Sequence, residues 1–173
     1  RPDKKLSLSK LHPQQKAFIK SQKLSSGITG GYQSGKSVAA AVKCITKLLI
    51  NPGIPIAYYL PTYGLIDDML IPKFDKLFSD INWPYVHHKK DNKLVSMYGE
   101  IWLQSMVEPK RIVSYSVGYS MVDEVDLVHP NIRKEVMQRI SSRNSYKKDT
   151  INSIDFVSTP EGFAYMYEFF VKK

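Results

Sequence analysis

The spacing of apolar residues along this chain switches repeatedly between helical and extended periods. Over residues 37–50, Val38, Ala41, Val42, Ile45, Leu48 and Leu49 recur every three or four positions, so one face of a helix is apolar. Asn51, Pro52 and Gly53 then end that helix. Residues 56–60 carry no polar interruption and are aromatic or branched almost throughout, the pattern of a strand covered on both faces, and Pro61 closes it. Upstream, residues 11–22 read as a helix, with Pro13 near its start and Ala17 and Phe18 on one face, and residues 26–29 as a short strand entering a glycine turn.

The remaining chain continues the alternation. Residues 63–78 predict a helix broken at Pro72, followed by a polar loop with His87, His88, Lys89, Lys90 and Asp91. Segments 94–97 and 100–104 flank Tyr98-Gly99 as a β-hairpin. A strand over 119–122 runs into Asp123-Glu124, a helix over 131–141 places Ile132, Val136 and Ile140 on one face, and a last strand covers 154–157. Residues 163–171 close the chain as a helix. Strands alternating with helices predict a parallel sheet.

The glycine turn holds the most specific chemistry. Gly30-Gly31-Tyr32-Gln33-Ser34-Gly35-Lys36-Ser37 fits G-x-x-x-x-G-K-[ST] and lies between a predicted strand and a predicted helix, as a phosphate-binding loop must. Such a loop turns backbone N–H groups inward as an anion nest, at the positive end of the following helix dipole. Lys36 is expected to reach the β- and γ-phosphates of ATP, and the Ser37 hydroxyl to coordinate Mg²⁺. The fold class that follows is α/β, a P-loop NTPase of the RecA/ASCE-like kind, with a mostly parallel sheet flanked by helices and a β-hairpin insertion.

Hydrolysis by such a site needs a carboxylate at the end of a neighbouring strand to steady the magnesium and a second to orient the attacking water. Asp123 is the candidate for the first role and Glu124 for the second. Asp126 reads as a solvated or helix-capping acid. Ser158 and Thr159 stand at the end of the last strand, where open sheets place their ligand crevice. They either sense the γ-phosphate or form a Ser-Thr-Pro turn that caps the next helix.

Size and charge narrow the setting. A length of 173 residues suits one domain, since a folding unit usually has roughly 100 to 200 residues. With 43% hydrophobic residues and no apolar run near the ~20 that a membrane span needs, a soluble chain is expected, with no membrane partner. No secretory signal pattern follows Arg1, which points to a cytoplasm, and the absent initiator Met suggests a trimmed or processed chain. Cys44 alone supports neither disulfides nor a cysteine-rich metal site and reads as a small buried hydrophobe, and the His87-His88 pair lacks further ligands at metal spacing. A net charge of +9 favours a polyanionic partner. Lys147 and Lys148, after the 131–141 helix, read either as DNA contacts or as a solvated loop.

In this order the motifs resemble the large terminase subunits of tailed bacteriophages over almost the whole chain. Leu11-His12-Pro13-Gln14-Gln15 is similar to that family's adenine-sensing glutamine motif, with Gln15 as the match and Gln14 the alternate. Residues 30–37 resemble its Walker A motif, Pro61-Thr62 follows the second strand as in terminases, Glu108-Pro109-Lys110-Arg111 falls at its basic segment, and Ser158-Thr159-Pro160 with Gly162 resembles its coupling motif. The resemblance implies a motor ATPase that drives double-stranded viral DNA into a procapsid within the host cell. It also implies a homo-oligomeric ring on the portal protein, fed by a small terminase subunit, with a monomer in isolation left open. A helicase core and a nucleotide-regulated DNA-binding or assembly module stay as alternatives. Tyr32 stands where family members often have an arginine, so the transition-state arginine is expected elsewhere, with Arg111 acting in trans as the candidate beside the reading of a surface arginine. Terminases carry a nuclease after the ATPase domain; none fits in these residues, so no DNA cleavage by them is expected.

Overall fold

The computed structural model describes residues 11–146, 152–160 and 165–172. Seven strands form one sheet in the order β1-β7-β6-β2-β5-β4-β3. These are β1 (Ser25–Thr29), β2 (Ile56–Leu60), β3 (Tyr85–His88), β4 (Lys93–Ser96), β5 (Gly99–Ser105), β6 (Tyr119–Asp123) and β7 (Ser153–Ser158). The five strands from β1 through β5 in that order are parallel, and β4 and β3 add an antiparallel edge. Lys147 and Lys148, together with Glu161, Gly162 and Phe163, lie outside the described residues.

Side-chain alternation along β2 explains the layering. Ile56, Tyr58 and Leu60 join a core with α1 (Pro13–Lys20), α2 (Lys36–Ile50) and α4 (Ile71–Asp80), whereas Ala57 and Tyr59 join a second core with α5 (Pro130–Arg143) and α6 (Tyr165–Phe170). Because both faces are covered, every β2 residue is buried, as its unbroken apolar run predicts. Cys44 is fully buried on α2, as expected of a small hydrophobe. No helix among the described residues is long and apolar enough to cross a membrane.

Four expectations need correction. The helix after β2 is not broken at Pro72; it runs as α3 (Tyr63–Leu65), a π-helical stretch (Ile66–Leu70) and α4, with Pro72 in the first turn of α4, where a missing N–H costs little. His87 and His88 are not in a loop but in β3, because their backbone pairs with Leu94 and Lys93. The hairpin is not a pure insertion, since β5 pairs antiparallel with β4 on one side and parallel with β2 on the other. On α1, Phe18 and Ile19 face the core while Ala17 is exposed.

Candidate functional site

The C-terminal ends of β1, β7 and β6 meet at one edge of the sheet. Gly30 N–H donates to the Ser158 carbonyl at 3.4 Å and Glu124 N–H to the Val157 carbonyl at 2.7 Å, so the phosphate loop, the Ser-Thr turn and the acidic pair are tied by main chain alone. Gly31, Tyr32, Gln33 and Ser34 are exposed along the loop. Gly35 caps α2 in the left-handed region, φ +77°, a conformation that calls for glycine, and a Cβ there would also press on the Gln15 side-chain tip at 2.9 Å.

Gln15 is buried and bridges two elements. Its side-chain oxygen accepts from His12 N–H at 2.9 Å, closing the first turn of α1, and its Nε2 donates to the Ser34 carbonyl at 2.9 Å. Gln14 is exposed, so Gln15 is the glutamine held against the loop.

The two acids have separate surroundings. Asp123 ends β6 fully buried; its Oδ2 accepts from the Tyr58 hydroxyl at 2.6 Å, while Oδ1 has no hydrogen-bond partner among the described residues. Burial pushes its carboxyl up to about 6, aided by the negative charge of Glu124, while the Tyr58 hydroxyl, Ser37 and Lys36 pull it the other way. A buried carboxylate oxygen without a donor, near the Ser37 hydroxyl, is an oxygen-ligand set that fits a Mg²⁺ ion. Tyr58 was legible in sequence only as a core aromatic, although a buried phenol generally requires a partner for its hydroxyl.

Glu124 follows with φ +55°, a left-handed conformation uncommon outside glycine, which breaks the strand alternation. Its carboxylate accepts from Thr159 N–H at 2.9 Å, from Thr159 Oγ1 at 3.0 Å and from Ser158 Oγ at 3.4 Å. Lys36 Nζ pairs with Glu124 Oε1 at 3.2 Å, and both side chains are nearly buried. The same ammonium lies 5.8 Å from the centre of the exposed Tyr32 ring. Ser158 and Thr159 therefore do more than turn the chain: they hold the second acid.

Asp126 is buried rather than solvated, and its Oδ1 accepts from Met166 N–H in α6, so of its two readings the helix-capping one holds. Arg111 stands apart. Its Nε pairs with Glu108 at 2.7 Å, more than half the side chain is exposed, and among the described residues it makes no bond to the loop or the acidic pair. It borders a cavity of about 260 Å³ with Thr62, Tyr63, Ser105, Val107 and Glu108.

A family model described as the N-terminal part of the terminase large subunit, T4likevirus-type, matches residues 28–173. No curated protein matches the chain. Among solved structures, the fold is similar to the large terminase ATPase domain of Thermus phage P74-26, with a TM-score of 0.68 and 21% identity over 92% of this chain and 68% of that one. It is similar to the large terminase of a thermophilic bacteriophage in complex with ADP, with a TM-score of 0.73 and 13% identity over 90% of this chain and 40% of that one. The N-terminal domain of the DNA packaging ATPase from bacteriophage phi29 is a third, with a TM-score of 0.63 and 14% identity over 92% of this chain and 84% of that one. At these identities the structural likeness establishes the fold.

Proposed function

This chain belongs to the T4likevirus-type terminase large subunit N-terminal family, and on that premise we propose that it hydrolyses ATP with Mg²⁺ to drive double-stranded viral DNA into a procapsid. The observation that carries the reading is the placement of Glu124, which Thr159 and Lys36 hold beside a magnesium-compatible Asp123 at the mouth of a phosphate loop. The large terminase of the thermophilic bacteriophage has been solved with ADP and with ATP-γ-S, in keeping with nucleotide binding by this chain.

The loop amides and the α2 dipole bind the phosphates, and Gln15 braces the loop through the Ser34 carbonyl. Ser37 and Asp123 would hold Mg²⁺, which when bound neutralises charge on the β- and γ-phosphate oxygens. To reach those oxygens Lys36 has to exchange Glu124 for phosphate, which frees a lone pair on Glu124 Oε1, still held by the Thr159 hydroxyl, while Thr159 N–H and Ser158 Oγ keep Oε2 in place. The freed lone pair accepts a proton from water as that water bonds to the γ-phosphorus and the bond to the β,γ-bridging oxygen breaks. The bonds from Ser158 and Thr159 to Glu124 then link hydrolysis to β7, a route by which chemistry moves the fold.

Double-stranded DNA, the portal protein and a small terminase subunit are the proposed partners, in a homo-oligomeric ring working in the host cytoplasm. A DNA-cleaving activity is not assigned to these residues. Calorimetric titration of the folded chain with magnesium nucleotide at millimolar concentration should release heat, and DNA movement should require portal-bound procapsids. Strand separation by the chain alone would favour a helicase instead.

The exposure of Arg111 suits a finger offered to a neighbouring subunit better than one acting on its own loop. Arg111→Ala is expected to lower hydrolysis by about 10³-fold with nucleotide affinity unchanged. Mixing it with a Glu124→Gln chain should restore part of the activity; phosphate release no higher than that of either variant alone would remove the trans role.

A further inference from the structure

Lys73 lies in the first turn of α4, directly after the π-helical stretch Ile66–Leu70. Helical side chains lean toward the N-terminus, and this helical segment starts just past the C-terminal end of β2, at the edge of the sheet where Asp123 sits. The Lys73 side chain runs back along the helical segment toward its start, with its Nζ donating to the Met69 carbonyl at 2.9 Å. The next residue, Phe74, is fully buried with its ring edge-on to Tyr58 at 6.1 Å, and Tyr58 is the donor to Asp123. So α4 is packed against the very side chain that supports the first acid.

At that position the Lys73 ammonium is half-buried and no carboxylate lies within ion-pairing distance among the described residues. Burial lowers its pKa most; the charge of Asp123 raises it and that of Lys36 lowers it, which places the group within electrostatic reach of the two residues that would bracket the phosphates. Single π turns are rare and cluster at functional sites. Deleting one residue from this turn would rotate Lys73 by about 100° around the helix and carry it away from the acid.

We propose that Lys73 is a further phosphate-binding cation of the nucleotide site, supplied by α4 of the same chain, which contacts the γ-phosphoryl oxygens of a bound triphosphate. The assignment rests on the ATPase reading. An ammonium there adds attraction that a diphosphate does not receive, and it stabilises the charge that develops during phosphoryl transfer.

The test uses the chain with Lys73→Met, which keeps the length of the side chain, and with Lys73→Arg, which keeps the charge. Lys73→Met should weaken ATP-γ-S binding about tenfold by calorimetry while ADP affinity stays within about twofold, and should lower kcat by roughly 10²-fold. Its Tm should stay within a few degrees of wild type, and Lys73→Arg should recover most of both losses. A purely structural lysine, bound only to the Met69 carbonyl, would instead lower Tm and affect the two nucleotides alike. That result, or wild-type ATP-γ-S affinity and kcat in Lys73→Met, would overturn the assignment while the ATPase reading stood. If the wild-type chain binds neither nucleotide, the ATPase reading falls and takes the role of Lys73 with it.

Discussion

Glu124→Gln should bind magnesium nucleotide at least as tightly as wild type and turn it over about 10²- to 10⁴-fold more slowly, the usual contribution of a positioned general base. The amide keeps one oxygen that accepts from Thr159 N–H, so the turn at the end of β7 and the left-handed conformation at residue 124 are retained. It cannot take a proton from water, and it offers no negative charge to Lys36, which in wild type is 3.2 Å from the carboxylate. A released Lys36 loses a competitor for phosphate, so affinity should hold or rise a few-fold. Phosphate release in steady state and calorimetric titration of the same preparation separate the two effects. Turnover within about threefold of wild type, far short of what loss of a general base costs, would remove Glu124 from the chemistry. A parallel loss of affinity would show that its chief work is to hold the loop.

The parts of this site that sequence exposes are those with local causes. The phosphate loop is written in eight consecutive residues whose glycines and lysine have no other common use in that order. β2 is visible because burial on both faces removes polar residues from the run, β6 keeps only Ser120 before its end, and the acids stand out because they close that run. What stayed hidden depends on partners distant in the chain. That Tyr58 serves Asp123 requires β2 beside β6, and that Thr159 clamps Glu124 requires β7 beside β6. His87 and His88 look like loop because polar residues on an antiparallel edge carry little apolar signal, and only their pairing with β4 makes them strand. The π turn before Pro72 is likewise hidden: a proline in a helical pattern reads as a break, whereas the helical segment here continues through Pro72 by widening to a π turn just before it.

The largest loss of stability is expected from Lys43→Met. Lys43 is fully buried, with its Nζ 2.7 Å from Asp155 Oδ2, 3.0 Å from Ser26 Oγ and 4.1 Å from the centre of the Phe18 ring. Asp155 also accepts from Ser26 N–H and the Tyr119 hydroxyl, so five elements, α1, α2, β1, β6 and β7, converge on one charge pair. Removing the cation leaves a buried carboxylate uncompensated, a loss of about 3–5 kcal/mol, which for a domain of this size lowers Tm by roughly 10 °C. Asp155→Asn differs in a way that tests the same physics. Burial already lowers the Lys43 pKa against the pull of Asp155, and without that carboxylate it falls further. The unfolded chain then binds more protons than the folded one between the lowered value and the ordinary lysine value, so the stability of Asp155→Asn should rise with pH across that window relative to wild type. Thermal melts from neutral to pH 9 would show it; a Tm within about 3 °C of wild type for Lys43→Met, well below the loss expected for an unpaired buried charge, would mean that Tyr119 and Ser26 suffice to hold the carboxylate. The pair lies seven residues beyond Lys36 on α2 and three before Ser158 on β7, so it fixes the spacing between the loop lysine and the turn that clamps Glu124.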